Sequence, residues 1–172
     1  VDKISHIIDQ LNEWTGRLMA WLTLGMVGVT FSVVVLRYLF NTGSIALQES
    51  ITVMHALIFM LGAAYTLRHE GHVRVDIFYR RFGERGRAWV DLLGVLLLLL
   101  PVTLFIMWVS WEYVASSWSL HEGSREAGGL PGVYLLKSVI PLMALLLLLQ
   151  GVAMGWRAFC VLRQAEEPRH DA

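Results

Sequence analysis

Four stretches of the chain run without an acid, a lysine or an arginine: Leu18 to Leu36, Ser50 to Leu67, Leu92 to Trp111 and Ser138 to Trp156. Charged residues close each of them, Arg17 and Arg37, Glu49 and Arg68, Asp91 and Glu112, Lys137 and Arg157. A helix rising 1.5 Å per residue crosses a hydrocarbon layer in about 20 residues. Lipid offers the backbone no hydrogen bonds, so runs of this length predict transmembrane helices. Ahead of the first run, Ile4, Ile7, Ile8, Leu11 and Leu18 recur at helical spacing with Asp9, Asn12 and Glu13 opposite. That pattern predicts an amphipathic helix over residues 1–17, lying in the membrane interface before the chain turns inward. The expected fold is an all-α integral membrane protein, one four-helix domain with an N-terminal interfacial helix and a tail from 157 to 172.

Composition supports lipid as the solvent. Of 172 residues, 56% are hydrophobic and 16% charged, against about a quarter charged in soluble domains. The first run is too long for a signal-peptide core and lacks a small-residue cleavage site, so it is expected to be retained. Basic residues set the orientation. Lys3 and Arg17 precede the first run, Arg68, Arg74, Arg80, Arg81, Arg85 and Arg87 fill the second connection, and Arg157, Arg163 and Arg169 follow the last. The first and third connections hold only Arg37, Arg125 and Lys137. Both termini are therefore expected on the cytoplasmic side. Trp14, Trp21, Trp89 and Trp156 fall near that edge and Tyr38, Trp108, Trp111, Tyr113, Trp118 and Tyr134 toward the other, although Trp108, Trp111 and Trp118 also fit a packing stripe on one long third helix. With 14 basic and 14 acidic residues, no nucleic-acid footprint is present.

The candidate chemistry is sparse. The uncharged runs leave His55 and Gln150 as the main polar exceptions, which argues against a self-sufficient carrier or channel. A bis-histidine haem needs a second histidine at the depth of His55, but His69 and His72 lie toward one end and His121 in the outer loop, so a packed or hydrogen-bonded His55 is expected. Cys160, the single cysteine, supports neither a disulfide nor a cysteine-based metal site. No phosphate loop or nucleophile elbow occurs, so an enzyme is not expected and no cofactor is assigned to the chain. Pro101 and Pro141 each remove a backbone donor and are expected to bend their helices. Gly25 to Gly28, Gly62 to Ala64 and Gly151 to Gly155 offer close-approach sites, either within the bundle or toward another subunit. Arg37 and Glu49 either pair at the outer interface or stand as solvated boundary residues. The second connection, with Val73, Val75, Ile77, Phe78 and Phe82 among its arginines, is expected to rest against anionic headgroups. The glycine-rich stretch from His121 to Gly132 reads as a plain connection or as a docking surface for an extracytoplasmic partner.

Arg37-Tyr38-Leu39-Phe40-Asn41, Gln48-Glu49, Gly71-His72-Val73-Arg74-Val75-Asp76, Gly129-Leu130-Pro131 and Ile140-Pro141-Leu142 occur in this order at the ends of the four runs. In this the chain resembles the small permease subunit of tripartite ATP-independent periplasmic (TRAP) transporters, over nearly its whole length. The resemblance implies a bacterial inner-membrane machine in which a periplasmic binding protein delivers an organic acid and a large polytopic subunit carries it with sodium. The small subunit would brace the large one and add to the docking surface. On that basis the candidate partner interface is Arg37, Tyr38, Asn41, Glu49, His72, Arg74, Asp76, Arg125, Gly129, Pro131, Gly151 and Gly155. Many members carry a tryptophan shortly before the acid of the second motif, where this chain has Ala46 and Leu47, so no role of that tryptophan transfers. Residues 45–50 and 122–129 look most like the mannitol and chloroaromatic branch, which implies a monocarboxylate or 2-oxo acid cargo. A membrane anchor for a haem- or quinone-linked redox complex, motivated by His55 and His72, is the alternative, and a free-standing structural membrane protein a third reading.

Overall fold

The computed structural model describes residues 2–71, 79 and 81–164. Those residues form helices α1 (Asp2–Leu39), α2 (Ile45–Arg68), α3 (Glu84–Gly94), a five-residue π turn (Val95–Leu99), α4 (Leu100–Ser119) and α5 (Val133–Gln164). Since α3, the π turn and α4 form one rod, four helical segments among the described residues are long and apolar enough to span a membrane: Lys3–Leu39, Ile45–Arg68, Glu84–Ser119 and Val133–Gln164. Each expected run lies inside one of these segments.

The ends of the helices are set locally. Asn41 adopts the left-handed conformation (φ 50), and the Thr42 N–H returns to the Leu36 carbonyl at 3.0 Å. Asparagine tolerates this region better than most residues. Ser44 then caps α2 by accepting from the Leu47 N–H. At the far end of α2, Glu70 is left-handed (φ 52) and the Gly71 N–H closes onto Thr66 O at 2.9 Å. His121 (φ 45) repeats the device after α4, with the Glu122 N–H on Ser117 O at 3.1 Å.

One expectation needs correction. The segment before Leu18 is not a separate helix that turns into the first span; it is the opening of α1, a single helix of 38 residues. At 1.5 Å per residue α1 extends about 57 Å, nearly twice the hydrocarbon thickness. Nothing in the sequence between Asp2 and Leu39 breaks it: there is no proline, and Gly16, Gly25 and Gly28 are isolated within good helix formers.

α5 is the central post. It packs on α2, on the α3 to α4 rod and on α1, and it holds more of the buried described residues than any other helix: Val139, Ala144, Leu146, Gln150, Gly151, Ala153, Gly155, Ala158 and Leu162. Its small residues face the π turn. A Cβ on Gly151 would lie 2.7 Å from Leu99 Cδ2, and one on Gly155 would lie 3.2 Å from Val95 Cγ1. The π turn also resolves the problem posed by Pro101, which cannot donate to the preceding turn and whose ring would crowd its carbonyls. Leu100 N–H bonds Val95 O instead, and the widened turn pushes Val95 and Leu99 toward the glycines. Pro141 lies within the unbroken run of α5. Gly151 and Gly155 are therefore contacts inside this chain, and their assignment to a partner interface is withdrawn. Gly25, Gly28 and Gly62 have nothing within 4 Å of an added Cβ, whereas Gly16 lies under the Tyr65 ring, which an added Cβ would strike. Close approach of α1 to α2 thus depends on a glycine that the spacing motifs do not single out.

Replacing Gly151 by leucine is expected to destabilise the chain by about 1–3 kcal/mol, the usual range for overpacking, while Gly25→Leu leaves it unchanged. Thermal unfolding in detergent, followed by circular dichroism, checks both.

Candidate functional site

Two clusters of polar residues occupy opposite ends of the bundle. The first joins α1 to α2 and α5. Asp9 receives Arg157 Nη1 at 2.8 Å and Gln150 Nε2 at 3.2 Å, and its backbone carbonyl accepts from Arg68 Nη1 at 2.7 Å. One turn on, Glu13 accepts from Arg68 Nη1 at 2.7 Å and Arg17 Nε at 3.0 Å, with His69 Nε2 at 2.9 Å. The His69 ring also packs on Tyr65 at 4.4 Å between centroids. At the centre, Asn12 Nδ2 donates to Gln150 Oε1 at 2.6 Å; the two side chains are 1% and 0% exposed. Asn12 Oδ1 has no hydrogen-bond partner among the described residues.

This seam reverses the expected role of the N-terminal segment. Its amphipathic pattern is present, but Asp9, Asn12 and Glu13 face the bundle while Ile4, Ile7, Leu11, Trp14 and Leu18 are exposed. Polar groups within or near hydrocarbon gain by meeting other protein groups, and apolar side chains lose nothing by facing lipid. The basic partners come from the ends of α2 and the last turns of α5, as the antiparallel course of the helices dictates. Acids at positions 9 and 13, one turn apart and continuous with an apolar run, together with the lone amide of the fourth run, were the available signal.

The second cluster shapes the connection between α4 and α5. Glu49, near the start of α2, accepts from Ser124 Oγ and from the Leu130 N–H at 2.6 Å. Ser124 Oγ also accepts from the Glu126 N–H at 3.1 Å, and the Ser124 N–H reaches Leu130 O at 2.9 Å. Gly128 is left-handed (φ 81), and a Cβ on Gly129 would lie 2.7 Å from Glu49 Oε2 and strike Ser124. The glycine pair is therefore required by the turn and by the carboxylate seated against it. At the base of the loop, Glu122 accepts from Lys137 Nζ and from Ser117 Oγ at 2.7 Å. Lys137 Nζ stands 4.0 Å from the Tyr113 ring centroid, within cation–π range. Trp118 donates to Ser138 Oγ at 2.8 Å and packs edge-on against Tyr134.

Several sequence expectations are decided by this geometry. Glu49, Gly129 and Pro131 come together, and Arg37, Tyr38 and Asn41 lie exposed at the same end, on and beside the α1 to α2 turn. Arg125 is exposed at the loop. His72, Arg74 and Asp76 lie outside the described residues, as do Val73 and Val75 of that motif. Arg37 forms no ion pair with Glu49, which is taken by the loop and is half-buried. Trp108 and Trp111 are exposed, so only Trp118 of the three packs within the chain. His55 is exposed on α2 and makes no hydrogen bond among the described residues, so the expected packed or hydrogen-bonded histidine is not formed within them. Among the described residues no group of three histidine, cysteine, aspartate or glutamate side chains could hold a metal.

Comparison with known proteins agrees with the family resemblance read from the sequence. The family described as tripartite ATP-independent periplasmic transporters, DctQ component, matches residues 26–161. The C4-dicarboxylate TRAP transporter small permease protein DctQ of Vibrio cholerae serotype O1 is 26% identical over 111 residues, covering 64% of this chain and 46% of that relative. The chain thus spans about half the length of the curated relative. No solved structure matches.

Two outcomes test the clusters. Gln150→Leu leaves Asn12 buried without a partner and is expected to cost about 1–3 kcal/mol; Asn12→Leu in the same chain recovers much of that, as a double-mutant cycle on thermal unfolding would register. In the loop, the hydrogen bond from Lys137, then that from Ser117, holds the Glu122 carboxyl below its ordinary value of 4.5. A lowered value means that the contact is complete above 4.5 and is lost as pH falls through the lowered value. A spin label at Ala127, in a chain carrying Cys160→Ser, is expected to keep constant mobility from pH 7 to 5 and to loosen below 4.5, with a smaller change in Glu122→Gln.

Proposed function

Because the chain belongs to the family of DctQ components of tripartite ATP-independent periplasmic transporters, we propose that it is the small membrane subunit of a binding-protein-dependent importer of organic acids. It sits as a multi-pass protein in the inner membrane, with both termini in the cytoplasm, the side favoured by the arginines of the second connection and the tail. The chain braces a large polytopic subunit that carries the cargo with sodium. The loop clasped by Glu49 adds to the periplasmic surface where the binding protein docks. The cargo is a carboxylate. The relative is named for C4-dicarboxylates, while residues 45–50 and 122–129 look more like a branch that handles monocarboxylates and 2-oxo acids.

The observation that carries this reading is the closed middle of the bundle. Between the two polar clusters α5 buries Val139, Ala144 and Leu146, and the polar side chains that α4 buries there, Thr103 and Ser110, return to carbonyls one turn back. Such a bundle supports a pathway in a neighbour. Its membership in a transporter family does not favour the redox-anchor alternative.

Reconstitution tests the assignment. The chain alone in liposomes is expected to move no substrate, and the chain with its large subunit, binding protein and a sodium gradient to accumulate a carboxylate; transport by the chain alone would overturn the proposal. Glu49→Ala and Arg125→Ala are expected to raise the binding-protein concentration for half-maximal uptake by roughly fivefold or more, the scale of a 1 kcal/mol interface contact, with recovery of the large subunit unchanged.

A further inference from the structure

α2 presents one outward stripe that does not fit lipid. Ile45, Gln48, Thr52, His55 and Phe59 are all exposed and recur at alternating spacings of three and four residues. This is the spacing by which one helix packs along another. Two of the five, Thr52 and His55, lie deep in the span. His55 is the eleventh residue of a helix of 24, about 15 Å from its start and so close to mid-membrane.

The polar members of the stripe also differ from other hydroxyls on the helices. Thr23, Thr30, Ser32 and Thr66 each return their hydroxyl to a carbonyl one turn back, at 3.0, 2.8, 2.8 and 3.0 Å. They need nothing from outside. Among the described residues, the side chains of Gln48, Thr52 and His55 make no hydrogen bond. An imidazole facing hydrocarbon at mid-membrane would have its ring nitrogens unmet, a cost that a lipid tail cannot relieve. Beside the stripe runs a groove of about 590 Å³ between α2 and the start of α5, lined by Thr52, Val53, Leu57, Tyr134 and Val139 and ending at Glu49. Thr52 belongs to both, so the polar stripe forms one wall of a concave seat.

We propose that this face of α2 receives a membrane helix of the large transport subunit, with a hydrogen-bonding side chain of that helix opposite His55. The inference rests on the assembly proposed above and adds the face that mediates it. A second copy of the chain is the poorer occupant. Copies insert in the same direction, which sets His55 against His55 at one depth, where the pair shares a single hydrogen bond and repels when protonated. A different helix can present complementary groups to Gln48, Thr52 and His55 together.

The test uses the assembled complex in membranes, with Phe59 replaced by photoreactive benzoylphenylalanine. Illumination is expected to yield a product of this chain joined to the large subunit. A product of twice this chain's mass would overturn the inference in favour of a second copy. A large subunit that co-purifies but gives no protein crosslink would overturn it in favour of lipid. Failure of the large subunit to co-purify with the unsubstituted chain would overturn the assembly and this face together. In parallel, His55→Leu is expected to lower recovery of the large subunit about three- to twentyfold, the span of measured interhelical hydrogen bonds in membranes. His55→Gln should restore most of it. Because His55 touches nothing that would hold the isolated chain, its melting temperature should not move; unchanged recovery with His55→Leu would sink the inference.

Discussion

A polar group carried into hydrocarbon has to be met by protein, because the lipid supplies neither donor nor acceptor. The rest of this structure depends on that requirement. It turns much of the start of α1 inside out, so that Asp9, Asn12 and Glu13 face α2 and α5 while Ile4, Ile7, Trp14 and Trp21 face outward. It also explains why the hydroxyls of α1 fold back on their own carbonyls. The same requirement makes the stripe through His55 conspicuous, since no such closure is available there.

Once polar groups are satisfied, shape decides how the helices meet. In lipid, burying one more leucine brings little advantage over leaving it in the tails, so close approach and dispersion carry the packing. α5 supplies this through Gly151 and Gly155, and the rod opposite supplies a π turn that fills the space they leave. Pro101 and the two glycines are therefore parts of one contact, although they come from different helices. The Tyr65 ring over Gly16 serves the same purpose between α1 and α2.

The loop from His121 to Gly132 shows how a glycine-rich connection acquires a definite shape. Glu49 reaches it from α2 and accepts a hydroxyl and a backbone N–H, and Glu122 ties its base to Lys137 and Ser117. Two carboxylates from different parts of the chain thus hold a surface that a flexible linker would not present.

The number of membrane-spanning helices was legible along the chain because each follows from an uninterrupted run of uncharged residues, a local property. The motifs at the span ends, and with them the family, were equally legible. What Asp9, Glu49, His55 and Gly151 touch was not, because each contact depends on which helix face meets which neighbour. A helix pattern records two faces but not which one points inward, and in a membrane the usual assumption that the apolar face is the buried one reverses. Tertiary structure alone decided that the N-terminal acids lie inside, that Glu49 holds a loop and does not pair with Arg37, that Gly151 and Gly155 close the bundle, and that His55 is left facing out.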